Sequence, residues 1–414
     1  MLIEFSVTNF LSFKDKNTFT MLASSDKSLN DNYVSIGNDD ILKMTAIYGA
    51  NASGKTNLFK VLATVSNIIK NSNYVDPNYS LPIVPFKLDE QTAKQPSEFE
   101  IKFIVNETRY LYGFKADCKK IYEEYLTYYP NGRPVKIFSR EKVSKYDFNR
   151  NDEKLLNDIK GKNSDNKFFI ATATSWNYEK TKDAYNFITE KIGVVLSNDQ
   201  LHDYSYNQYY SDKDNNLEKF ALNFLRKADI NIKGYRVIEG KLKEDIFNSL
   251  PDFAKTIFPV GTPMYKVNTK HIINNKEFEL DITEESLGTQ VVFTFIPVLK
   301  DVIENKKVLI VDEFDKSLHP FIVKYIVEIF NDPTINTNGA QLIFNTHDTN
   351  LLNLDILRRD QIWFAEKNYK DESTSIYPLD DFSVRKTENI EKGYLLGRYG
   401  AIPFITNDFN PYGE

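Results

Sequence analysis

Gly49-Ala50-Asn51-Ala52-Ser53-Gly54-Lys55-Thr56 satisfies every fixed position of G-x-x-x-x-G-K-[ST], and it limits what this chain can fold into more than any other stretch. A short apolar run, Met44 to Tyr48, precedes it. Leu58, Val61, Leu62, Val65, Ile68 and Ile69 follow at helical spacing. Strand, glycine loop and helix, in that order, give the motif its physical meaning. The glycines let the backbone curl until several N–H groups converge on one point. The helix adds the positive end of its dipole there. Gly49, Asn51, Ala52, Ser53, Gly54 and Asn57 are therefore expected to cradle phosphate groups. Lys55 would reach the β- and γ-phosphates, and the Thr56 hydroxyl would ligate Mg²⁺. The competing reading is a glycine turn that matches by chance, and the flanking strand and helix weigh against it.

Val308-Leu309-Ile310-Val311-Asp312-Glu313 is the second constraint: four apolar residues followed by two acids. A buried strand that ends in carboxylates is the natural partner of a phosphate loop. Asp312 would hold Mg²⁺ through water. Glu313 would orient or deprotonate an attacking water. Without the loop, the same residues would read as a strand running into a solvated acidic turn.

The chain has 414 residues, and at roughly 150 residues per domain that suggests two to three domains. Thirty Phe and 25 Tyr are too many aromatics for a disordered chain. Cys118 is the single cysteine, which excludes a disulfide framework, a Cys-ligated zinc and an iron–sulfur cluster. It fits a reducing cytoplasm. The N-terminus, Met-Leu-Ile-Glu-Phe-Ser-Val, has no basic segment before an apolar run and does not read as a secretory signal. No stretch reaches the roughly 18–20 apolar residues of a membrane helix. A net charge of −6 argues against a protein that coats nucleic acid through overall charge.

Along the chain, Leu2 to Val7 alternates as a strand, and Asn9 to Phe13 reads as a turn entering a second strand. Residues 97 to 145 look like β-structure, with a hairpin turn at Asn131-Gly132. Residues 146 to 260 are richer in Lys, Asp and Asn and carry helical patterns such as Leu217, Phe220, Ala221, Phe224 and Leu225. No heptad pattern is sustained, so a long coiled coil is not expected. The expected organisation is an α/β nucleotide-binding core in two parts, 1–145 and 261–414, split by a mostly helical insertion at 146–260.

Three further segments narrow the class. Ser286-Leu287-Gly288-Thr289-Gln290 opens an apolar helix, Asp315-Lys316-Ser317-Leu318-His319-Pro320 follows the two acids, and Gln341 to Asn345 is a strand leading to His347. With the phosphate loop, they make the sequence resemble ATP-binding-cassette-type ATPases of the SMC, RecF and OLD group. Ser286–Gln290 resembles their signature motif, Asp315–Pro320 their D-loop and His347 their switch histidine. Val7 to Phe13 resembles their first strands. A closer resemblance, to the RloA or AbiL-type ATPases of anti-phage and abortive-infection operons, rests on Ser97–Ile101, Glu285–Gln290, Leu357–Phe364 and Tyr394–Pro403. The signature departs from Leu-Ser-Gly-Gly-Gln, with Leu287 and Thr289 around Gly288.

The resemblance implies a P-loop head with a mixed sheet flanked by helices and an antiparallel β subdomain. It implies ATP and Mg²⁺ as ligands, and two ATPs sandwiched in a homodimer. Each ATP would touch Lys55 of one copy and Ser286, Gly288 and Gln290 of the other, with Asp315 crossing the interface and His347 sensing the γ-phosphate. Glu313, His347 and Lys55 are the implied catalytic residues; Thr56 and Asp312 are the implied metal ligands. His347 also reads as a structural histidine at a strand end. No Q-loop residue is assigned, since Gln91 and Gln95 read equally as solvated loop residues.

Only 67 residues follow His347, too few for a Toprim nuclease of on the order of 100 residues. A nuclease or toxin-like effector is then expected on a separate protein. Arg226, Lys227, Lys233 and Arg236 around Tyr235, or Lys119 and Lys120, could contact nucleic acid or could be solvated faces. Three functions stay open: the ATPase and sensor of a phage-defence system, a RecF-like DNA-repair ATPase, and a nucleotide-gated scaffold with negligible turnover.

Overall fold

A computed structural model describes residues 1–403, apart from 250, 252–254 and 256–257. The chain divides into two compact units. The first comprises Met1–Val194, Asn305–Glu313 and the chain from Glu328 onward; the second comprises Val195–Glu304 and Phe314–Val327.

A six-stranded sheet organises the first unit. Its order is Ile192–Val195, Val308–Val311, Gln341–Asn345, Met44–Tyr48, Ile362–Lys367, Thr374–Pro378. The four strands from Val308–Val311 to Ile362–Lys367 pair in parallel, and the last pairs antiparallel. All five residues of Met44–Tyr48 are buried, as are all four of Val308–Val311. Strands covered on both faces need such unbroken apolar runs, which is why these segments show no alternation. The helix Lys55–Lys70 buries Leu58, Val61, Leu62, Val65, Ile68 and Ile69, the stripe expected from their spacing.

A seven-stranded sheet follows the order Lys145–Phe148, Val135–Glu141, Ile121–Tyr129, Thr108–Ala116, Ser97–Val105, Leu2–Thr8, Asn17–Thr20, and its pairs are antiparallel. The hairpin at Asn131-Gly132 is present, with Gly132 at φ +73. Its core is aromatic: Phe99 stacks on Phe114 at 4.8 Å, and Phe103 on Phe187 at 4.4 Å. The second strand starts later than the sequence pattern suggests. Asn9 to Phe13 is a tight turn with Asn9 and Leu11 at positive φ, and the strand begins at Asn17. Asn9 imposes this turn. Its buried amide donates to Thr92 O at 2.7 Å and to Gln95 O at 2.9 Å, and accepts from Phe86 N at 3.0 Å.

The second unit is built around the helix Leu287–Glu304, 18 residues long and buried continuously from Val292 to Leu299, with Phe293, Ile296 and Leu299 fully buried. The helices His202–Ser211 and Asn216–Lys227 pack on it. Tyr209 stacks on Phe293 at 4.4 Å. A three-stranded antiparallel sheet joins Gly234–Lys241, Pro263–Ile273 and Lys276–Asp281. The fold class is thus α/β, a P-loop core with a mixed sheet and a separate antiparallel sheet. Among the described residues no helix is long and apolar enough to cross a membrane.

Candidate functional site

The glycine loop leaves the C-terminal end of Met44–Tyr48, at the centre of the parallel sheet. That strand pairs Ala46 with Phe344 on one side and Tyr48 with Phe364 on the other. Gly49 therefore emerges against Ala365. A Cβ at Gly49 would overlap the Ala365 carbonyl oxygen and lie 2.7 Å from Ser53 Oγ. Gly54, at φ +102, caps the helix Lys55–Lys70, and a Cβ there would overlap the Thr374 hydroxyl. Ala52 also has positive φ, at +62. The loop is curled by backbone geometry that only these small residues permit.

Lys55 is 8% exposed and turns back into the loop, where its Nζ donates to Gly49 O at 2.6 Å and Ala50 O at 2.9 Å. Ser53 is 2% exposed, and its Oγ has no hydrogen-bond partner among the described residues. An orphaned hydroxyl inside a cradle of this shape suits an anionic oxygen. Asn51 and Ala52 form the exposed lip.

The neighbouring strands deliver the acids. Val311 pairs with Phe344, so Asp312 emerges beside Asn345. Thr56 Oγ1 donates to Asp312 Oδ1 at 3.1 Å. The two residues expected to hold Mg²⁺, 256 apart in sequence, thus lie within hydrogen-bond distance. Asn345, 2% exposed, clamps the acids: its Nδ2 donates to Asp312 Oδ1, and its Oδ1 accepts from Glu313 N at 2.5 Å. Glu313 adopts the left-handed φ of +49, and its side chain is exposed. His347 lies two residues past Asn345 and is exposed.

A supporting layer went unread in the sequence. Thr374 Oγ1 donates to Ser53 O at 2.9 Å and shares a hydrogen bond of 2.8 Å with the Ser12 hydroxyl, and Asn57 Nδ2 donates to the same Ser12 Oγ at 2.9 Å. The Gly49 N–H donates to Tyr394 Oη, whose pKa burial raises, and that hydroxyl donates to Ala401 O at 3.2 Å. Ser12 and Tyr394 both fall in segments that carried the family resemblance. Asn345, two residues before the histidine, gave no separate signal.

In the second unit, Ser286 caps the helix Leu287–Glu304: its Oγ accepts from Thr289 N at 3.2 Å. Gln290 Nε2 donates to Glu285 O at 2.8 Å. Gly288 faces the D-loop-like turn, where a Cβ would come within 2.9 Å of Ser317 O. Ser317 has φ +67, and Asp315 O accepts from Leu318 N at 3.1 Å. Glu285 Oε1 accepts from Thr269 Oγ1 at 2.6 Å and meets His271 Nε2 at 2.7 Å. Ser286, Gly288 and Gln290 thus lie together at the start of this helix, with the turn that follows Asp315 against Gly288.

Other candidates do not gather into sites. Gln91 and Gln95 are exposed. The ring of Tyr235 packs on Tyr209 at 4.7 Å and Arg236 pairs with Glu279 at 2.7 Å, while Arg226, Lys227 and Lys233 are exposed. Arg358 is buried, pairs with Asp360 at 2.7 Å and orders the turn before Ile362–Lys367.

The arrangement fits a nucleotide phosphate chain with a hard divalent cation. Thr56 and Asp312 offer two oxygens, and no cluster of three or more His, Cys, Asp or Glu exists among the described residues. Mg²⁺ characteristically takes few protein ligands and completes its shell with water and phosphate.

A family model described as "AAA domain, putative AbiEii toxin, Type IV TA system" matches residues 44–353, about three quarters of the chain. Comparison with curated proteins gives no match. Among solved structures, the chain is similar to the SMC head domain from Thermotoga maritima, at 13% identity and a TM-score of 0.42, covering 91% of this chain and 98% of that one. It is also similar to an SmcHead bound to the C-winged helix domain of ScpA, at 13% identity and a TM-score of 0.43, covering 91% and 97%.

Proposed function

The chain belongs to that AAA-domain family, and on this premise we propose that it binds and hydrolyses ATP, closing as a pair of copies around the nucleotide. The contact between Thr56 and Asp312 beside the curled loop supports this reading most directly. The loop amides and Ser53 receive the phosphates, and Lys55 exchanges the Gly49 and Ala50 carbonyls for phosphate oxygens. Thr56 and Asp312 hold Mg²⁺, which when bound neutralises charge on the transferring phosphoryl group. Glu313, exposed and with its backbone tied to Asn345, orients the water that attacks the γ-phosphorus and accepts its proton. The bond to the β-phosphate oxygen breaks, and ADP and phosphate leave. His347 contacts the γ-phosphate.

Ser286, Gly288 and Gln290 of a second copy complete the site from a helix N-terminus, and Asp315 couples the two sites. Loss of the γ-phosphate loosens the pair, so ATP acts as a gate. The family's description points to toxin–antitoxin systems. It supports a place for this ATPase as the sensor subunit of a cytoplasmic anti-phage defence system, holding or releasing a separate effector.

The test uses Glu313→Gln with ATP and Mg²⁺. Light scattering should show an ATP-dependent dimer that persists while phosphate release stops. Ser286→Arg should bind ATP as a monomer and fail to dimerise. Wild-type turnover in Glu313→Gln, or full turnover by a monomeric Ser286→Arg, would overturn the proposal.

A further inference from the structure

We propose that the first unit has a second binding surface, built around the Asn163–Lys167 turn, which takes single-stranded nucleic acid by stacking a base on Trp176 and running its phosphates along adjacent lysines. The chain has two tryptophans. Trp363 is 4% exposed, and its Nε1 donates to Asp360 O at 3.1 Å. Trp176 is 53% exposed, at the end of the helix Phe169–Ser175. Its exposed ring leaves aromatic surface that a flat, unstacked base can cover.

Lys162 Nζ sits 3.6 Å from the Trp176 ring centroid, Lys160 Nζ 5.2 Å from that of Tyr146, and Lys120 Nζ 4.9 Å from that of Tyr122. One turn ties the three pairs together. Buried Arg140 donates to Lys167 O at 2.9 Å and Asp165 O at 3.2 Å. Asn163 Nδ2 donates to Tyr146 Oη at 2.9 Å. Thr172 Oγ1 donates to Asn163 Oδ1 at 2.6 Å, and Ile121 N to Asp165 O at 2.9 Å. The platform is thus fixed by buried hydrogen bonds rather than assembled from mobile side chains.

The ion pairs of this region are Lys136–Asp147, Lys145–Glu141, Lys180–Asp152 and the longer Arg140–Asp165 contact. They occupy Asp147, Glu141 and Asp152, while Lys119, Lys142, Lys160, Lys162 and Lys167 have no ion-pair partner among the described residues. Asp117 accepts from the backbone of Lys119 and Lys120 and attracts the Lys120 ammonium. Free ammonium groups beside aromatic faces match a polyanion whose bases are unstacked. A duplex hides its base faces and gains nothing from Trp176. Asp158 and exposed Asp165 interrupt the lysines, so the surface suits a few nucleotides rather than a long wrapped strand.

The test is a titration of the full chain, without ATP, with 12-nucleotide oligo(dT), oligo(U), a duplex of equal length, and heparin as a base-free polyanion. Fluorescence and anisotropy are read. Since Trp363 is buried, quenching of the exposed tryptophan reports stacking directly. Either single strand should quench emission; preference for oligo(U) identifies RNA, and preference for oligo(dT) identifies DNA. Trp176→Ala should weaken binding about tenfold and Trp176→Phe far less. Lys160→Glu with Lys162→Glu should flatten the salt dependence, by about 0.7 in the log–log slope per lost phosphate contact. Lys55→Ala should bind the oligonucleotides as wild type does, which separates this surface from the nucleotide site. Equal binding of heparin or duplex without quenching, or unchanged affinity in Trp176→Ala, would overturn the proposal.

Discussion

Asn345→Ala tests the site at its least obvious point. The side chain is 2% exposed and makes two hydrogen bonds, one to the Asp312 carboxylate and one from the Glu313 N–H. Its truncation removes a bond to a charged group and strands a peptide N–H, and together these cost about 2–4 kcal/mol of stability. The functional loss follows from what the amide holds in place. Without it, Asp312 can rotate away from Thr56, and Glu313 loses the contact that fixes its left-handed backbone. Removing a residue that orients a metal ligand characteristically lowers metal affinity or activity about 10–100-fold. Phosphate release measured against Mg²⁺ concentration should show a raised half-saturation point and a lower plateau, while ATP binding without metal changes little. Because Asn345 acts through Asp312, adding Asp312→Asn should cost little more. A variant with unchanged Mg²⁺ dependence and rate, or one whose effect adds fully to that of Asp312→Asn, would refute the reasoning.

Gly54→Ala should lower nucleotide affinity more than tenfold and destabilise by about 2–4 kcal/mol, because φ is +102 and the new methyl overlaps Thr374 Oγ1; isothermal titration and urea unfolding check both. Burial pushes the Asp26 carboxyl up, but hydrogen bonds from Ser28 and the Arg359 guanidinium outweigh it and hold the pKa down to about 2. Its stabilisation is therefore present above the ordinary value near 3.8 and lost as pH falls from there towards 2. Asp26→Asn should flatten the acid limb of a stability–pH curve, by about 1 kcal/mol after solvent screening. At an ATP concentration one hundred times the dissociation constant, the wild type should gain about 2.7 kcal/mol against unfolding, and Lys55→Ala should gain nothing measurable in the same scan.

What could be read in the sequence was what lies together in the chain. The loop from Gly49 to Thr56 and the run from Val308 to Glu313 each carry their chemistry in a few consecutive residues, and buried strands and an amphipathic helix announce themselves by unbroken apolarity or 3.6-residue spacing. The roles of Ser12, Asn345 and Thr374 were silent because only tertiary contacts between distant segments bring them to the loop: Thr374 reaches Ser12 across 362 positions. The turn at Asn9 to Phe13 was legible, but not the start of the strand after it: the strand begins only at Asn17, and the buried amide of Asn9, bonded to Phe86, Thr92 and Gln95, holds the turn. Tyr235 looked like part of a basic surface, but its ring is taken up by Tyr209 and Phe293.

The loop is set for exchange rather than assembled by its ligand. Lys55 is nearly buried, and a buried ammonium needs partners. Two carbonyls of its own loop accept from it, so the lysine is held in place at the mouth of the loop. Moving from neutral carbonyls to anionic oxygens strengthens its hydrogen bonds without a new desolvation cost. Ser53, in contrast, has a buried hydroxyl with no partner among the described residues, and an incoming oxygen relieves it. Thr374 holds Ser53 from beneath through its carbonyl, and the same hydroxyl sits where a side chain on Gly54 would go. The curl of the loop and the place of its orphaned donor are therefore fixed by one residue that belongs to neither motif.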